Sequence, residues 1–282
     1  MDFFSIFRSI AFSSTPPPLF HSTRSASLLN PLKHSISEDT CIARLPGHTP
    51  IIPTVSGAKT LSELTDEELL ARFTRGFFGG YVFTPERLLL RTISWKFFGV
   101  QIKNHNYDTS ILAPFDQDQG QKHAEPATEQ PPKNIWRPSE FSLASILPLK
   151  SKIYGAFQVT DTYLVDKKLH DKNSLEPNVN RNNYSYIDFG FGNRTSSFAG
   201  CHRFSIHRHA DAARNTTEAE GMPQERKLEN RLDSMIEFRL SGFQCNPVEN
   251  SPSLAVSYLE RFHRIYARLL FTDSIRATFR PF

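Results

Sequence analysis

The order of segments in the second half of this chain constrains its fold more than any other feature. Four runs with strand character, at 152–165, 184–192, 200–209 and 234–244, are followed by one long amphipathic run at 252–279. Side chains on a strand alternate between faces. Ile236, Phe238 and Leu240 therefore share one face, and Glu237, Arg239 and Ser241 share the other. In the preceding run, Phe204 and Ile206 carry His202 onto the apolar face and leave Cys201, Arg203, Ser205 and His207 opposite. Ile187, Phe189 and Phe191 likewise oppose Tyr186, Asp188 and Gly190, whereas 153–165 is bulky on both faces. In the last run Leu254, Leu259, Phe262, Tyr266, Leu269 and Leu270 recur at helical spacing, with Glu260, Arg261, Arg264 and Arg268 mostly on the other side. Such a stripe needs an apolar partner, and the dry face of the sheet supplies one. The expected fold is α+β: an antiparallel sheet wrapped on a long C-terminal helix, with a cleft between them.

Two short helices are expected ahead of the sheet. Thr65 with Glu68 forms a capping box, and Leu69, Leu70, Phe73 and Phe77 follow at helical spacing until Gly79-Gly80. Thr84 then reads as an N-cap with Pro85 at the first helical position, leading into Leu88, Leu89, Ile93, Trp95 and Phe98. Between the two, Phe77, Phe78 and Tyr81 lie among three glycines. A packed helix corner is the favoured reading, and a membrane-surface contact using Arg72 and Arg75 is the other. Residues 1–60, rich in proline and serine, are expected to be a disordered leader, and 61–282 a single domain with polar insertions near 104–133, 167–183 and 210–231. The basic, acid-poor start, with Phe3, Phe4, Ile6, Phe7, Ile10 and Phe12, also fits a mitochondrial import segment. The expected location is therefore cytoplasmic, with mitochondrial as the alternative.

Composition removes several classes of function. The net charge of +4 arises from 33 basic and 29 acidic residues without long single-sign blocks, so a nucleic-acid partner is not expected. No apolar run is long enough for a transmembrane segment. Three scattered cysteines make neither a disulfide framework nor a paired zinc motif. Cys201, His202, His207 and His209 do not form a metal set, because adjacent residues on a strand face opposite ways. Gly190-Phe191-Gly192 is not a phosphate loop, since no helix follows it, and no cofactor is expected.

Two short helices, antiparallel strands and a long last helix are similar to the START-like, or helix-grip, superfamily. The segments Phe189-Gly190-Phe191-Gly192 and Phe198-Ala199-Gly200-Cys201-His202-Arg203-Phe204, together with 262–279, more narrowly resemble a family of small uncharacterised bacterial and plant domains within it. The likeness covers about half the chain, which departs from the family in its polar insertions and leader. It implies an apolar cavity under the last helix holding a small hydrophobic molecule such as a lipid or a polyketide- or terpenoid-like metabolite.

On that reading Phe189, Phe191, Phe204, Ile206, Phe238, Leu240 and Phe262 line the ligand cleft. His202 faces the cleft as a proton acceptor or an orienting group. The alternative is a cyclase- or dehydratase-like enzyme of secondary metabolism, with His202 as acceptor and Tyr266 or His263 as donor. A third is an interaction protein with a filled core. Asp188 and Arg203 are expected to pair across neighbouring strands on a solvated face.

Overall fold

The computed structural model describes residues 6–7, 10–13, 23–51, 59–92, 131–165, 184–192, 197–209, 235–250 and 254–280, with 12–13, 92 and 254–263 as backbone only. The elements are β1 (Ala11–Ser13), α1 (Arg24–Leu29), β2 (Ile36–Pro46), α2 (Asp66–Gly79), α3 (Thr84–Thr92), β3 (Asn134–Ile135), β4 (Lys152–Ile153), β5 (Phe157–Tyr163), β6 (Tyr184–Gly192), β7 (Ala199–His209), β8 (Met235–Cys245) and α4 (Leu254–Thr278). The strands form one sheet in the order β1-β2-β8-β7-β6-β5-β4-β3, antiparallel except for the short β3–β4 pair. The chain is thus α+β with a long C-terminal helix, and no helix among the described residues is long and apolar enough to cross a membrane.

Local chemistry explains the helix that crosses the sheet. The Thr65 hydroxyl accepts from the Glu68 amide at 3.1 Å, and the Glu68 carboxylate accepts from the Thr65 amide at 2.8 Å, so the expected capping box starts α2. Gly76 then lets α2 meet α4 closely, since a Cβ there would lie 2.7 Å from the Ser274 carbonyl oxygen. Thr84 begins α3 as a helical residue, its hydroxyl donating to the Gly80 carbonyl at 3.1 Å rather than capping. The expected single strand over 152–165 is broken in two, because Tyr154 and Gly155 turn the chain at φ 49° and 67°. The glycine-bearing corner after α2 is packed rather than splayed: Phe77 and Phe78 are buried, and Tyr81 alone of the three aromatic residues is exposed.

The front face of the sheet carries the main core. Ile187, Phe189, Phe204, Ile206, Phe238 and Leu240, the apolar positions expected from alternation, are all buried in one cluster with Phe73, Phe77 and Phe78 of α2 and Phe271 and Ile275 of α4.

The stretch 1–60, expected as a leader, contributes ordered elements to the sheet. Order does not begin at residue 61: β2 pairs with β8 over eleven residues, from Ile36↔Cys245 to Pro46↔Met235, and lies inside the sheet between β1 and β8. Ile6 and Ile10 are buried in the front core, while Ala26 and Leu29 of α1 pack with Ala199, Cys201, Phe243 and Cys245 behind the sheet. The backbone hydrogen bonds of β8 and the apolar back of β7 and β8 require these partners. Residues 1–5, 8–9, 14–22 and 52–58 of this stretch lie outside the described residues, as do nearly all of the three expected polar insertions.

Candidate functional site

His202 stands where the front-face core reaches solvent. Strand register places it between Phe189 of β6 and Gly242 of β8, with Asp39 of β2 beyond Gly242. Its ring centroid is 4.9 Å from Phe191, 5.9 Å from Phe77 and 6.3 Å from Phe157. Two glycines shape this place. A Cβ on Gly200 would come within 2.6 Å of Phe191 Cζ, so the bare backbone lets that ring lie against β7 beside the imidazole. A Cβ on Gly242 would stand 3.2 Å from both His202 Nδ1 and Asp39 Oδ1, so the glycine lets these two side chains close in over β8. His202, Asp39 and Phe157 are half-buried, whereas Phe189, Phe204, Ile206, Phe238 and Leu240 lie beneath the helices with almost no exposed surface. The arrangement offers an aromatic edge with two polar groups at one end.

Other residues singled out from sequence fall elsewhere. Tyr266 lies against α3 and the turn before it, its hydroxyl donating to the Val82 carbonyl at 3.3 Å and hydrogen-bonding Glu86. Burial, then the neighbouring Glu86 carboxylate, push the Tyr266 hydroxyl above its ordinary pKa. The side chains of Phe262 and His263 lie outside the described residues. Cys201 faces the back of the sheet, opposite to His202, as alternation requires. Gly190, on the back face, makes room for Leu29 of α1, and Gly192 takes φ +82° at the end of β6.

The Asp188–Arg203 pair forms as expected, but its face is not solvated. Nε and an Nη of Arg203 donate to the two carboxylate oxygens of Asp188 at 2.7 and 2.8 Å, and neither side chain has more than a trace of exposed surface. The Ser25 hydroxyl of α1 donates to Asp188 at 2.6 Å and meets Thr160 Oγ1 at 2.8 Å. Arg203 also lies 3.9 Å over the Tyr186 ring, whose hydroxyl donates to Asp161 at 3.0 Å. Burial alone pulls the guanidinium down, and the Asp188 carboxylate more than offsets it, leaving Arg203 above its ordinary pKa. The solvated reading failed because the segment that covers this face came from the stretch read as a leader.

A second polar group lies further along the same face. Glu237, with no exposed surface, accepts from Arg44 at 2.6 Å, from Arg239, and lies 3.5 Å from His209. Burial raises its carboxyl, and the hydrogen bonds from Arg44 and Arg239 outweigh this and hold it below the ordinary range. His207, stacked 4.3 Å from Tyr184, is pushed down to about 4 by burial and then by Arg239. Between 6.5 and about 4 the unfolded chain therefore binds a proton at His207 that the folded chain refuses. Stability contributed here is complete above 6.5 and falls as the pH drops through that window, and Glu237 adds a further fall below 4.5. Asp161 and Glu86, both raised chiefly by burial, act in the opposite sense. The expected result is that His207→Gln flattens the decline in urea-unfolding free energy between pH 6.5 and 4.5. An unchanged slope rules out the assignment.

Alternation places His202 and Phe191 on the front face, and the structure sets Asp39, Phe77 and Phe157 near His202 there. Asp39 belongs to the stretch that reads as a leader, the packed helix corner expected around Phe77 names no residue opposite it, and the bulk of 153–165 on both faces conceals which way Phe157 points. No protein-family model, curated protein or solved structure matches the chain.

Proposed function

We propose that the chain binds a small hydrophobic molecule at the aromatic edge formed by Phe77, Phe157 and Phe191, with His202 as its polar contact. One observation carries this reading: a half-buried imidazole is held among three aromatic rings at the point where the core cluster opens to solvent. Small-molecule sites combine apolar and aromatic walls with a few convergent polar groups. The buried residues beneath, Phe189, Phe204 and Phe238, serve as the floor that fixes those rings.

The test is native mass spectrometry of the purified chain, comparing intact mass with and without denaturation. The expected result is a co-purifying hydrophobic species that is lost in Phe157→Asp, a change at a half-buried position. Protein that is empty across independent preparations, and takes up no hydrophobic compound when one is added, sinks the reading.

A further inference from the structure

The geometry points to the end of the sheet where β2 begins and β8 stops as a docking tip for a lipid bilayer surface, a role independent of the small-molecule reading above. Ile36, Cys245, Ala199 and Gly192 stand in one row across β2, β8, β7 and β6, so the segments just beyond that row lie side by side. Three of them present a large apolar side chain to solvent: Leu32 ahead of β2 is 66% exposed, Val248 after β8 is 52% exposed, and Phe198 ahead of β7 is 37% exposed. A single exposed apolar residue needs no explanation, but three on neighbouring turns form a patch. Leu32 and Val248 are held outward by two buried asparagines. The Asn30 side chain donates to the His34 carbonyl at 2.8 Å and accepts from the His34 amide at 2.9 Å, which closes the turn carrying Leu32. The Asn246 side-chain oxygen accepts from the Val248 and Glu249 amides at 3.1 and 3.2 Å. The two turns are also tied to each other, for the Ser35 amide donates to Asn250 Oδ1 at 2.8 Å and His34 Nδ1 meets the Asn246 carbonyl at 3.0 Å.

A bilayer suits this tip better than a protein does. Together the three side chains expose on the order of 300 Å², well short of the roughly 800 Å² that each partner contributes to a stable protein interface. Entry into the boundary between headgroups and acyl chains needs no complementary surface, only apolar side chains held clear of the fold. Lys33 and Glu249, the charged residues at the exposed positions of these turns, have opposite signs. Attraction to anionic lipid therefore adds little, and apolar insertion sets the affinity. Phe198 also lies 5.5 Å from Phe191, so the tip adjoins the aromatic edge.

The test is co-sedimentation of the full chain with phosphatidylcholine vesicles, which carry no net charge. The parent is expected to partition onto them, and raising the salt from about 0.1 M to about 1 M should leave the bound fraction within about twofold. Leu32→Asp and Val248→Asp, both at exposed positions, should each lower the partition coefficient about tenfold or more, and the two together further still. Leu88→Asp, at an exposed apolar position on α3, should change it by less than about twofold. Circular dichroism checks the fold of each variant, and either tip substitution suffices if the other does not fold. A parent that stays in the supernatant overturns the proposal, as does binding that Leu32→Asp and Val248→Asp leave intact. Self-association on analytical ultracentrifugation that these substitutions abolish, in a chain that ignores vesicles, overturns it in favour of a second copy at the tip. None of these outcomes bears on the small-molecule reading, which native mass spectrometry tests separately.

Discussion

Replacing Arg203 by alanine is expected to remove about 3–5 kcal/mol of folding stability, the penalty for leaving a buried charge without its partner. Asp188 has no exposed surface, and its two oxygens take the two guanidinium hydrogen bonds at 2.7 and 2.8 Å. With Arg203 gone, Ser25 still donates to Asp188, but one hydroxyl does not balance a full charge out of water. Urea denaturation of the variant measures the loss. A drop of under about 1 kcal/mol, the scale of an exposed ion pair, contradicts the burial described. The double substitution Arg203→Met with Asp188→Leu should recover most of the stability, because replacing both partners leaves no stranded charge. Such a recovery means that the pair adds little net stability over an apolar replacement.

Phe73→Ala is expected to cost a similar amount, about 3–5 kcal/mol, for a different reason. Its ring lies 4.8 Å from Phe204, 5.7 Å from Phe238 and 5.6 Å from Phe271, so one side chain joins α2 to β7, β8 and α4. Nothing nearby is free to fill the space, because the backbones of α2 and α4 already meet at Gly76 and Ser274. Leu88→Ala provides the contrast, for that residue of α3 is 56% exposed and its loss should stay within about 0.5 kcal/mol. A thermal or urea comparison showing equal losses at the two positions would contradict the placement of Phe73 at the centre.

Much of the fold was legible along the chain because its signals are local. The Thr65–Glu68 capping box depends on residues three apart, and the alternation in 236–240 depends on residues two apart; both survive in the structure unchanged. The strands at 184–192 and 234–244 were read to within a residue or so, since their dry positions are phenylalanine and isoleucine. β2 carried no such signal. Its front-facing residues include Asp39, Cys41 and Ala43, too small or too polar to mark a strand, and its place inside the sheet comes from backbone pairing with β8 nearly two hundred residues later. α1 has six residues, too few for a helical period to show.

The candidate site divides along the same line. That His202 shares a face with Phe204 and Ile206 follows from strand geometry, which holds for any chain. It also puts Asp188 and Arg203 on the opposite face of their strands. Only the tertiary structure decided that Asp39 and His202 meet across Gly242, that Phe77 and Phe157 close around the imidazole, and that α1 turns the Asp188–Arg203 face from a wet surface into a buried one. Those contacts join residues far apart in the chain. Periodicity reports which way a side chain points, and only the packing of distant segments decides what it meets there.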